Sequence, residues 1–430
     1  MKKAIVVGSG AGGATVAREL QGAFQVTVLE AGDEFTPFTG NLNIFEKLKK
    51  GPCLFFNEKQ IQWLLPAMKV GRATGGMVLV KGVGHGGSTT ISTGSAVRQD
   101  HDLKAIGVDL DAEFLELDRE LPIYSDHEDK WHTPTREAFN VCGAMGLEPR
   151  PTPKMIRRRL CVACGKCILG CAHGAKWDSR EYLNEAVAKG AELVSGHKVR
   201  EVVVQNGKAI GVVAVRGRRR RLYRGDLVVL AAGGLETPVI LQRSGFECRP
   251  NLFVDPVLCV ATRLDGASQN REIPMPFMVQ SEHFMLAPYF DFLSFFFNPR
   301  WRYPAADIFS LMIKLADTNS GTVSPTGVRK PLLELDRSRL DEGIDCCRNI
   351  LREMGGTNAE TFLGTLNAGH PGGTLPLTQG EARTLHHECL PDNVYVADAS
   401  LLPNSLGNPP ILTIMALAKR ISRVCREVAG

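Results

Sequence analysis

The stretch KAIVVGSGAGGATVARE, residues 3–19, decides the fold class of this chain. Residues Lys3 to Val7 have the continuous apolar pattern of a buried parallel strand, a glycine-rich turn follows, and a helical stretch comes next. A second apolar run, QVTVL at residues 25–29, ends at Glu30. In this strand–turn–helix–strand context, the sequence G-x-G-x-x-G indicates a Rossmann-type dinucleotide site. We therefore expect an α/β fold built on a parallel sheet.

The residues of this turn have separate expected roles. Gly8 permits the tight turn, Gly10 lets the backbone approach a pyrophosphate, and Gly13 allows close contact between helix and strand. Ala11, within the turn, is a further expected contact, and the helical stretch that follows, ATVAREL, directs free amides and its positive dipole end towards the phosphates. Glu30, about 20 residues further on, is placed to accept hydrogen bonds from an adenosine ribose.

The composition is that of a soluble globular protein. The chain has 430 residues, 44% of them hydrophobic and 23% charged, which is enough for two or three compact units. The net charge of +5 is mild, and the basic residues are not interleaved with stacking aromatics, so nucleic-acid binding is not expected. No signal peptide or membrane-spanning stretch is evident. We expect a cytoplasmic protein whose cysteines are mostly reduced or metal-bound.

Four cysteines lie close together in the run CVACGKCILGC. They are Cys161, Cys164, Cys167 and Cys171. Their spacing, C-x2-C-x2-C-x3-C, is typical of iron–sulfur ligands, because short loops let several thiolates reach one cluster. Zinc is an alternative, although structural zinc sites usually pair two separated knuckles, and disulfides are disfavoured in a cytosolic chain. We favour a [4Fe–4S] cluster with Cys171 as the fourth ligand, or with the remote Cys142 in its place.

Three further regions resemble motifs of the glucose–methanol–choline (GMC) flavin oxidoreductases. Residues 82–89, GVGHGGST, resemble the second glycine-rich segment of the family, and residues 232–238, AGGLETP, resemble its second signature. Residues 396–403, VADASLLP, followed by TIMALA at 413–418, are similar to the C-terminal segment that contacts the flavin. The resemblance implies that the dinucleotide is FAD. It implies further flavin contacts at Gly86, Gly87, Ser88, Val199, Gly233, Asp398, Ala399, Pro409 and Pro410.

The segment NAGHPGGT at residues 367–374 is similar to the H-P-x-G-T segment of the same family. There the histidine takes the hydroxyl proton of the substrate while a hydride passes to the flavin. The resemblance implies that His370 is the catalytic base, a role that suits a neutral imidazole near physiological pH. The family places a second His or Asn just before the last helix. Pro409 occupies that position here, so the neighbouring Asn408 is the expected partner.

These motifs predict a discontinuous FAD-binding domain, an α+β substrate domain and a small iron–sulfur insertion. The expected divisions are 1–45, 75–98, 178–245 and 366–430 for FAD, 150–177 for the insertion, 246–365 for the substrate domain, and 46–74 and 99–149 for connecting or lid segments. The substrate domain is rich in aromatic residues. Such residues favour strand packing, and where they face the flavin they favour an apolar or bulky alcohol.

The resulting prediction is an FAD-dependent dehydrogenase that oxidises a CH–OH group to a carbonyl. Its electrons would leave through the cluster to an external acceptor protein or complex subunit, because a relay is superfluous when oxygen takes the hydride directly. Two alternatives remain open. One is a reductase fed by an external donor, and the other is an electron-transfer subunit of a larger redox complex.

Overall fold

The computed structural model describes residues 1–40, 46, 65, 67–355 and 361–429. The strands are β1 Lys3–Val7, β2 Gln25–Leu29, β3 Met68–Arg72, β4 Val78–Gly82, β5 Ile123–Tyr124, β6 Arg150–Pro151, β7 Lys154–Met155, β8 Glu192–Val194, β9 Lys198–Gln205, β10 Lys208–Arg216, β11 Arg219–Arg224, β12 Leu227–Leu230, β13 Pro256–Arg263, β14 Phe277–Gln280, β15 Phe284–Pro288, β16 Ile308–Leu315, β17 Thr322–Ser324, β18 Gly327–Arg329, β19 Phe362–Leu363, β20 Asn367–Ala368 and β21 Val394–Val396. The α-helices are α1 Ala11–Glu19, α2 His101–Ala105, α3 Asp111–Glu120, α4 Thr133–Ala144, α5 Arg180–Ala188, α6 Glu236–Arg243, α7 Phe292–Phe297, α8 Glu334–Glu353 and α9 Ile411–Ala429.

A five-stranded parallel sheet, in the order β21-β12-β1-β2-β8, forms the first layer of the fold. Strand β1 is the middle strand of this sheet. Four of its five residues are buried, as its apolar sequence predicts. Helix α1 packs against both α9 and α5. The α/β fold with a parallel sheet that residues 3–30 predict is therefore confirmed.

A second, nine-stranded sheet is mostly antiparallel and runs β3-β4-β20-β13-β16-β15-β14-β6, with β19 also paired to β13. Its centre is the pair β13 and β16, in which Val257 lies opposite Lys314. All eight residues of β16 are buried, and helix α8 packs on this part of the sheet. The second layer thus has its own hydrophobic core.

The remaining parts are smaller. Strands β9, β10 and β11 form an antiparallel sheet whose basic β10–β11 connection is exposed. Segment 99–149, expected to connect domains or act as a lid, contains α2, α3 and α4, and α3 packs on α9. Most of the predicted connecting segment 46–74 lies outside the described residues, as do residues 41–45 of the first FAD segment. Within the described ranges, no helix combines the length and apolar character needed to cross a bilayer.

Candidate active site

A cavity of about 650 Å³ lies between the two large sheets. It opens at the carboxyl ends of β1 and β2, the edge at which open parallel sheets bind ligands. Most of the residues predicted to bind flavin, together with the predicted base, line it: Gly8, Gly10, Ala11, Glu30, Gly87, Ser88, Val199, Gly233, His370, Asp398, Ala399, Pro409 and Pro410. Gly13, Gly86, Asn408 and the four clustered cysteines are not among the lining residues.

The glycine turn has the geometry that a bound pyrophosphate needs. Gly8 has a φ of +96°, a conformation that side chains disfavour. A Cβ atom added to Gly13 would lie 2.0 Å from the carbonyl oxygen of Gly8, so only glycine lets α1 pack this close to the turn. Gly10 caps α1 without a side-chain hydrogen bond, which leaves the first amides of the helix free beside the cavity.

Glu30 ends β2 and is 5% exposed. Its Oε2 accepts hydrogen bonds from the amide and hydroxyl of Ser9 at 3.0 and 2.6 Å, and its Oε1 accepts one from the amide of Gly32 at 2.9 Å. The carboxylate therefore braces the glycine turn. Each oxygen of a carboxylate can accept two hydrogen bonds, so Oε1 retains capacity for a further donor. Its predicted contact with a ribose stays a prediction.

Asp398 joins two of the segments that carry the family resemblance. Its Oδ2 accepts hydrogen bonds from the amide of Gly233 at 2.8 Å and from the hydroxyl of Thr237 at 2.6 Å. Its Oδ1 accepts one from the amide of Ser400 at 2.9 Å. Residues 232–238 and 396–403 are thus held together at the wall of the cavity.

Glu236, the first residue of α6, is a lining residue that the sequence reading did not single out. Its Oε2 lies 2.8 Å from Nζ of Lys198, and its Oε1 is paired with Nζ of Lys81. Burial by itself raises the pKa of this carboxyl, but the two lysines outweigh burial and lower the pKa to about 2. The group is therefore an anion at neutral pH, fixed beside two cations at the cavity wall.

His370 also lies in the wall of the cavity, and its ring is held by a lysine. Nδ1 is 2.6 Å from Nζ of Lys314, which in turn is 2.7 Å from Oδ2 of Asp255. Burial and the neighbouring Lys314 lower the pKa of His370, so the imidazole is neutral at physiological pH. Nε2, on the far side of the ring, has no hydrogen-bond partner among the residues in the described ranges. The ring can therefore offer Nε2 to a substrate.

Asp255 is fixed by several contacts. It has a φ of +51°, its amide donates to Oδ1 of Asp317 at 2.8 Å, and Asp317 is paired with Lys330 at 2.7 Å. Its own Oδ1 accepts a hydrogen bond from Ser405. Burial raises the pKa of Asp255, but Lys314 and His370 outweigh burial and lower it to about 2. The carboxylate is therefore charged when His370 works.

Asn408, the predicted second catalytic residue, is fully buried near this network. Its Nδ2 donates to Oε1 of Gln280 at 2.9 Å, and its Oδ1 has no hydrogen-bond partner among the described residues. The neighbouring Pro409 lines the cavity, whereas Asn408 does not. The structure thus places Lys314, and not Asn408, in contact with His370, and the catalytic role of Asn408 stays a prediction.

The four clustered cysteines are free thiols on a loop beside the cavity. They are close enough to affect one another electrostatically. Cys164 and Cys171 raise the pKa of Cys161, and Cys161 and Cys164 raise the pKa of Cys167. Across residues 1–40, 46, 65, 67–355 and 361–429, no group of three or more His, Cys, Asp or Glu side chains could hold a metal ion. The predicted iron–sulfur insertion is therefore not shown by the structure.

Two buried lysines lie beside this loop. Nζ of Lys176 contacts the carbonyl oxygens of Thr90 and Cys167 at 2.7 and 2.9 Å, and Nζ of Lys154 contacts that of Pro274 at 2.7 Å. Neither forms an ion pair with a carboxylate in the described part of the chain. Burial lowers the pKa of Lys154 to about 7, although Cys167 and Cys161 oppose that effect. Both amino groups thus lack a carboxylate ion pair within the described residues, and nearby cysteines raise the pKa of each against the effect of burial.

The loop also reaches the cavity directly. Ile168 and Leu169, which follow Cys167, are part of the cavity wall. Lys176 also binds the carbonyl oxygens of Thr89 and Ser92, two lining residues, at 3.2 and 2.9 Å. The cysteine loop and the glycine-rich 82–92 region therefore share one side of the cavity, a proximity that the sequence did not reveal.

Comparison with known proteins agrees with this architecture. The family model described as GMC oxidoreductase matches residues 3–259, more than half of the chain. An uncharacterised protein of Methanocaldococcus jannaschii is 26% identical over 97% of this chain and 98% of its own length. A long-chain-alcohol oxidase of Arabidopsis thaliana is 22% identical over 99% of this chain and 66% of its own length.

Among solved structures, pyridoxine 4-oxidase from Mesorbium loti has a similar fold. The two structures superpose with a TM-score of 0.73 at 18% sequence identity, over 98% of this chain and 99% of the other. A likeness at this identity supports the fold, and the family match supplies the assignment. The chain therefore belongs to the GMC oxidoreductase family, and it is an FAD-dependent oxidoreductase that acts on CH–OH groups.

Proposed function

We propose that this protein is a dehydrogenase that oxidises an apolar alcohol to a carbonyl and passes the electrons to an external acceptor. One observation carries the proposal. His370 is a neutral imidazole in the cavity wall, with Nδ1 held by Lys314 and with Nε2 unbonded within the described structure. Such a nitrogen, in the same cavity as a dinucleotide turn, is suited to take a hydroxyl proton.

The residues of the cavity fit FAD. Free amides at the start of α1 suit a pyrophosphate, and Glu30 retains capacity to accept from a ribose hydroxyl. Pro409 and Pro410, next to the start of α9, line the same cavity as the glycine turn and the base. When bound, FAD supplies the two-electron acceptor for the hydride on the alcohol carbon.

His370 has two tasks in this reaction. It accepts a hydrogen bond from the substrate hydroxyl at Nε2, which orients the alcohol, and it then takes the proton as the carbon loses its hydride. Lys314 holds the ring through Nδ1, and Asp255 balances the charge that the proton adds. We retain Asn408 as a candidate second partner, which requires its amide to turn from Gln280 towards the cavity.

An apolar substrate is supported by the part of the cavity wall that comes from the predicted substrate domain, residues 246–365. Its lining residues include aromatic and sulfur-containing side chains from β16, from α7 and from the segments next to β14 and β15. They are Met275, Tyr289, Phe292, Phe296 and Met312. Burying a CH2 group against such side chains contributes about 0.8 kcal/mol, so a longer alkyl chain binds more tightly. The similarity to a long-chain-alcohol oxidase is consistent with this substrate class.

The outlet for electrons is the second part of the proposal. Cys161, Cys164, Cys167 and Cys171 would hold a [4Fe–4S] cluster, which supplies one-electron transfer. The donor set consists of thiols alone, and the buried Lys176, which has no carboxylate partner in the described part of the chain, contacts the carbonyl oxygen of Cys167, as suits a site that carries negative charge. A cytoplasmic location, where thiols stay reduced, belongs to the same proposal.

Zinc fits less well than the cluster. Structural zinc sites usually pair two separated knuckles, whereas the four cysteines here form one short run. The spacing C-x2-C-x2-C-x3-C is what favours the cluster.

Anaerobic reduction of the flavin by a panel of alcohols of increasing chain length tests the proposal. We expect alcohols to bleach the flavin absorbance. The ratio of the reduction rate constant to the apparent Kd for alcohol should rise with chain length. If no alcohol reduces the flavin while an external donor and a carbonyl together turn over, the protein is a reductase. Rapid reoxidation by oxygen, in a preparation without iron, would indicate an oxidase instead.

A further inference from the structure

Lys314 is an unusual residue in its strand. It lies in β16, IFSLMIKL, where every residue is buried, and its side chain is 1% exposed. Burying an ammonium group is costly unless it is paired, and an apolar residue at this position would pack without that cost. Lys314 nevertheless lines the cavity and contacts His370. Packing therefore does not explain the lysine at this position, and the explanation must lie in the chemistry of its amino group.

The charged groups around Lys314 are arranged in two linked pairs. Asp255, 1% exposed, lies 2.7 Å from Nζ of Lys314, and Asp317, paired with Lys330, is near enough to raise the pKa of Lys314. Burial opposes these carboxylates and lowers the pKa of Lys314 below its ordinary value. His370 is the second group in contact with Nζ, at 2.6 Å. Lys314 can therefore exist as an ammonium or as an amine without leaving its partners.

The protonation state of Lys314 determines which nitrogen of His370 carries the hydrogen. An ammonium has only donors, so Nδ1 must accept, and a neutral imidazole then carries its hydrogen on Nε2. A neutral amine has a lone pair, so Nδ1 can donate to Nζ, and Nε2 is left with its lone pair. Only the second arrangement lets Nε2 take a proton from a substrate hydroxyl.

We propose that Lys314 is a positioning residue that selects the tautomer of His370 and receives, through the imidazole, the proton of the substrate hydroxyl. The inference rests on the proposed alcohol oxidation. The O–H bond breaks as the Nε2–H bond forms, the Nδ1–H bond breaks as a third Nζ–H bond forms, and the hydride leaves the carbon for the bound flavin. The alcohol becomes a carbonyl, and the new ammonium is paired with Asp255.

The surroundings of Asp255 suit this task. The carboxylate that would stabilise the new ammonium accepts from Ser405 and from the amide of Gly407 at 3.4 Å, so it cannot turn away from Lys314. The ammonium form has the opposite use, since Nε2–H then donates to a carbonyl oxygen. The relay therefore predicts that oxidation is favoured at high pH and carbonyl reduction at low pH.

Nitrogen NMR of protein labelled with 15N-histidine tests the relay without any substrate. The signal of His370 is assigned by its loss in His370→Asn. We expect it to change from the Nε2–H to the Nδ1–H tautomer as the pH is raised across the range in which the protein stays folded, because burial lowers the pKa of Lys314 and favours its amine form. Lys314→Met should abolish this change, because the group that remains near Nδ1, the carboxylate of Asp255 at 3.6 Å, only accepts hydrogen bonds and cannot exchange roles with Nδ1.

Lys419→Met is the matched control, since Lys419 is also buried and ion-paired but lies among Glu19, Glu116 and Glu120, outside the cavity. It should keep the tautomer change. Lys314→Arg, which holds a permanent cation, should keep Nε2–H throughout. A wild-type signal with one tautomer across the whole range overturns the relay even if the Lys314 variants do not fold. Persistence of the change in Lys314→Met overturns it as well.

Kinetics separate the relay from the proposed function. If alcohols reduce the flavin, the wild-type rate should rise with pH, and Lys314→Met should lose at least about 10-fold in the reduction rate with little change in the apparent Kd for alcohol. If no alcohol reduces the wild-type flavin, the alcohol oxidation fails, and NMR still decides the relay. If alcohols react while one tautomer persists, the relay alone fails.

Discussion

Nζ of Lys176 lies 2.9 Å from the carbonyl oxygen of Cys167, and it binds three more carbonyl oxygens in the 89–92 segment of the cavity wall. One buried side chain thus joins the cysteine loop to the glycine-rich loop. Because this one amino group contacts carbonyl oxygens of both loops, it organises one side of the cavity.

Replacing Lys176 by Met should therefore destabilise the protein. The change removes a charged donor from four carbonyl groups, and we expect a loss of about 3 kcal/mol in the free energy of unfolding. Denaturant unfolding of the flavin-loaded protein measures it. Lys189→Met, at an exposed position after α5, should change the free energy by less than about 0.5 kcal/mol. Equal effects of the two variants would contradict the proposed bracing role.

The catalytic role of His370 predicts a kinetic loss without loss of flavin. His370→Ala should bind FAD normally and reduce the rate of flavin reduction by alcohol at least about 100-fold, because it removes the base. Stopped-flow absorbance of the flavin measures this rate. His101→Ala, 89% exposed, is the control and should match the wild type. Unchanged electron throughput in His370→Ala would instead identify the protein as an electron-transfer subunit.

Glu236 predicts a specific pH dependence of stability. Its pKa falls from 4.5 to about 2 on folding, because Lys81 and Lys198 outweigh burial. A lowered pKa stabilises the folded state above the unfolded value, and that contribution is lost as the pH falls from 4.5 towards 2. For this partly exposed carboxyl we expect about 2 kcal/mol.

Unfolding free energies measured across this acid range check the Glu236 prediction. The variant Glu236→Gln should show a shallower decline than the wild type, since it has no proton to gain. Glu247→Gln changes an exposed carboxyl instead and should leave the slope as it is. An identical slope in Glu236→Gln would show that its ion pairs contribute nothing to the acid sensitivity.

The proposed cluster on the cysteine loop can be tested by measuring the metal content of the protein. After anaerobic purification we expect about four irons and four sulfides per chain, and an EPR signal on reduction. Cys167→Ser should lose the cluster while retaining FAD, whereas Cys389→Ser, at an exposed cysteine outside the loop, should retain both. Full flavin with stoichiometric zinc and no iron would rule out the cluster.

Several features of the site could be predicted from sequence because spacing along the chain sets their geometry. The strand–turn–helix unit brings Gly8, Gly13 and Glu30 together within about thirty residues, so one local pattern specifies the turn, the close packing and the acidic end of β2. The outcome agrees, since Glu30 braces this turn through Ser9. The place of His370 in the cavity could also be predicted from the sequence, because the segment around it resembles a motif of the GMC family.

The tertiary structure alone decided what surrounds these residues. Lys314, Asp255 and His370 come from separate strands and loops, and in the sequence Lys314 looks like one polar residue in an apolar strand. Its role depends on the register of β13 with β16 and on the return of the chain at His370, and no local pattern encodes either. The shared wall of the cysteine loop and the cavity has the same origin, because Lys176 joins segments about 85 residues apart through contacts that exist only after folding.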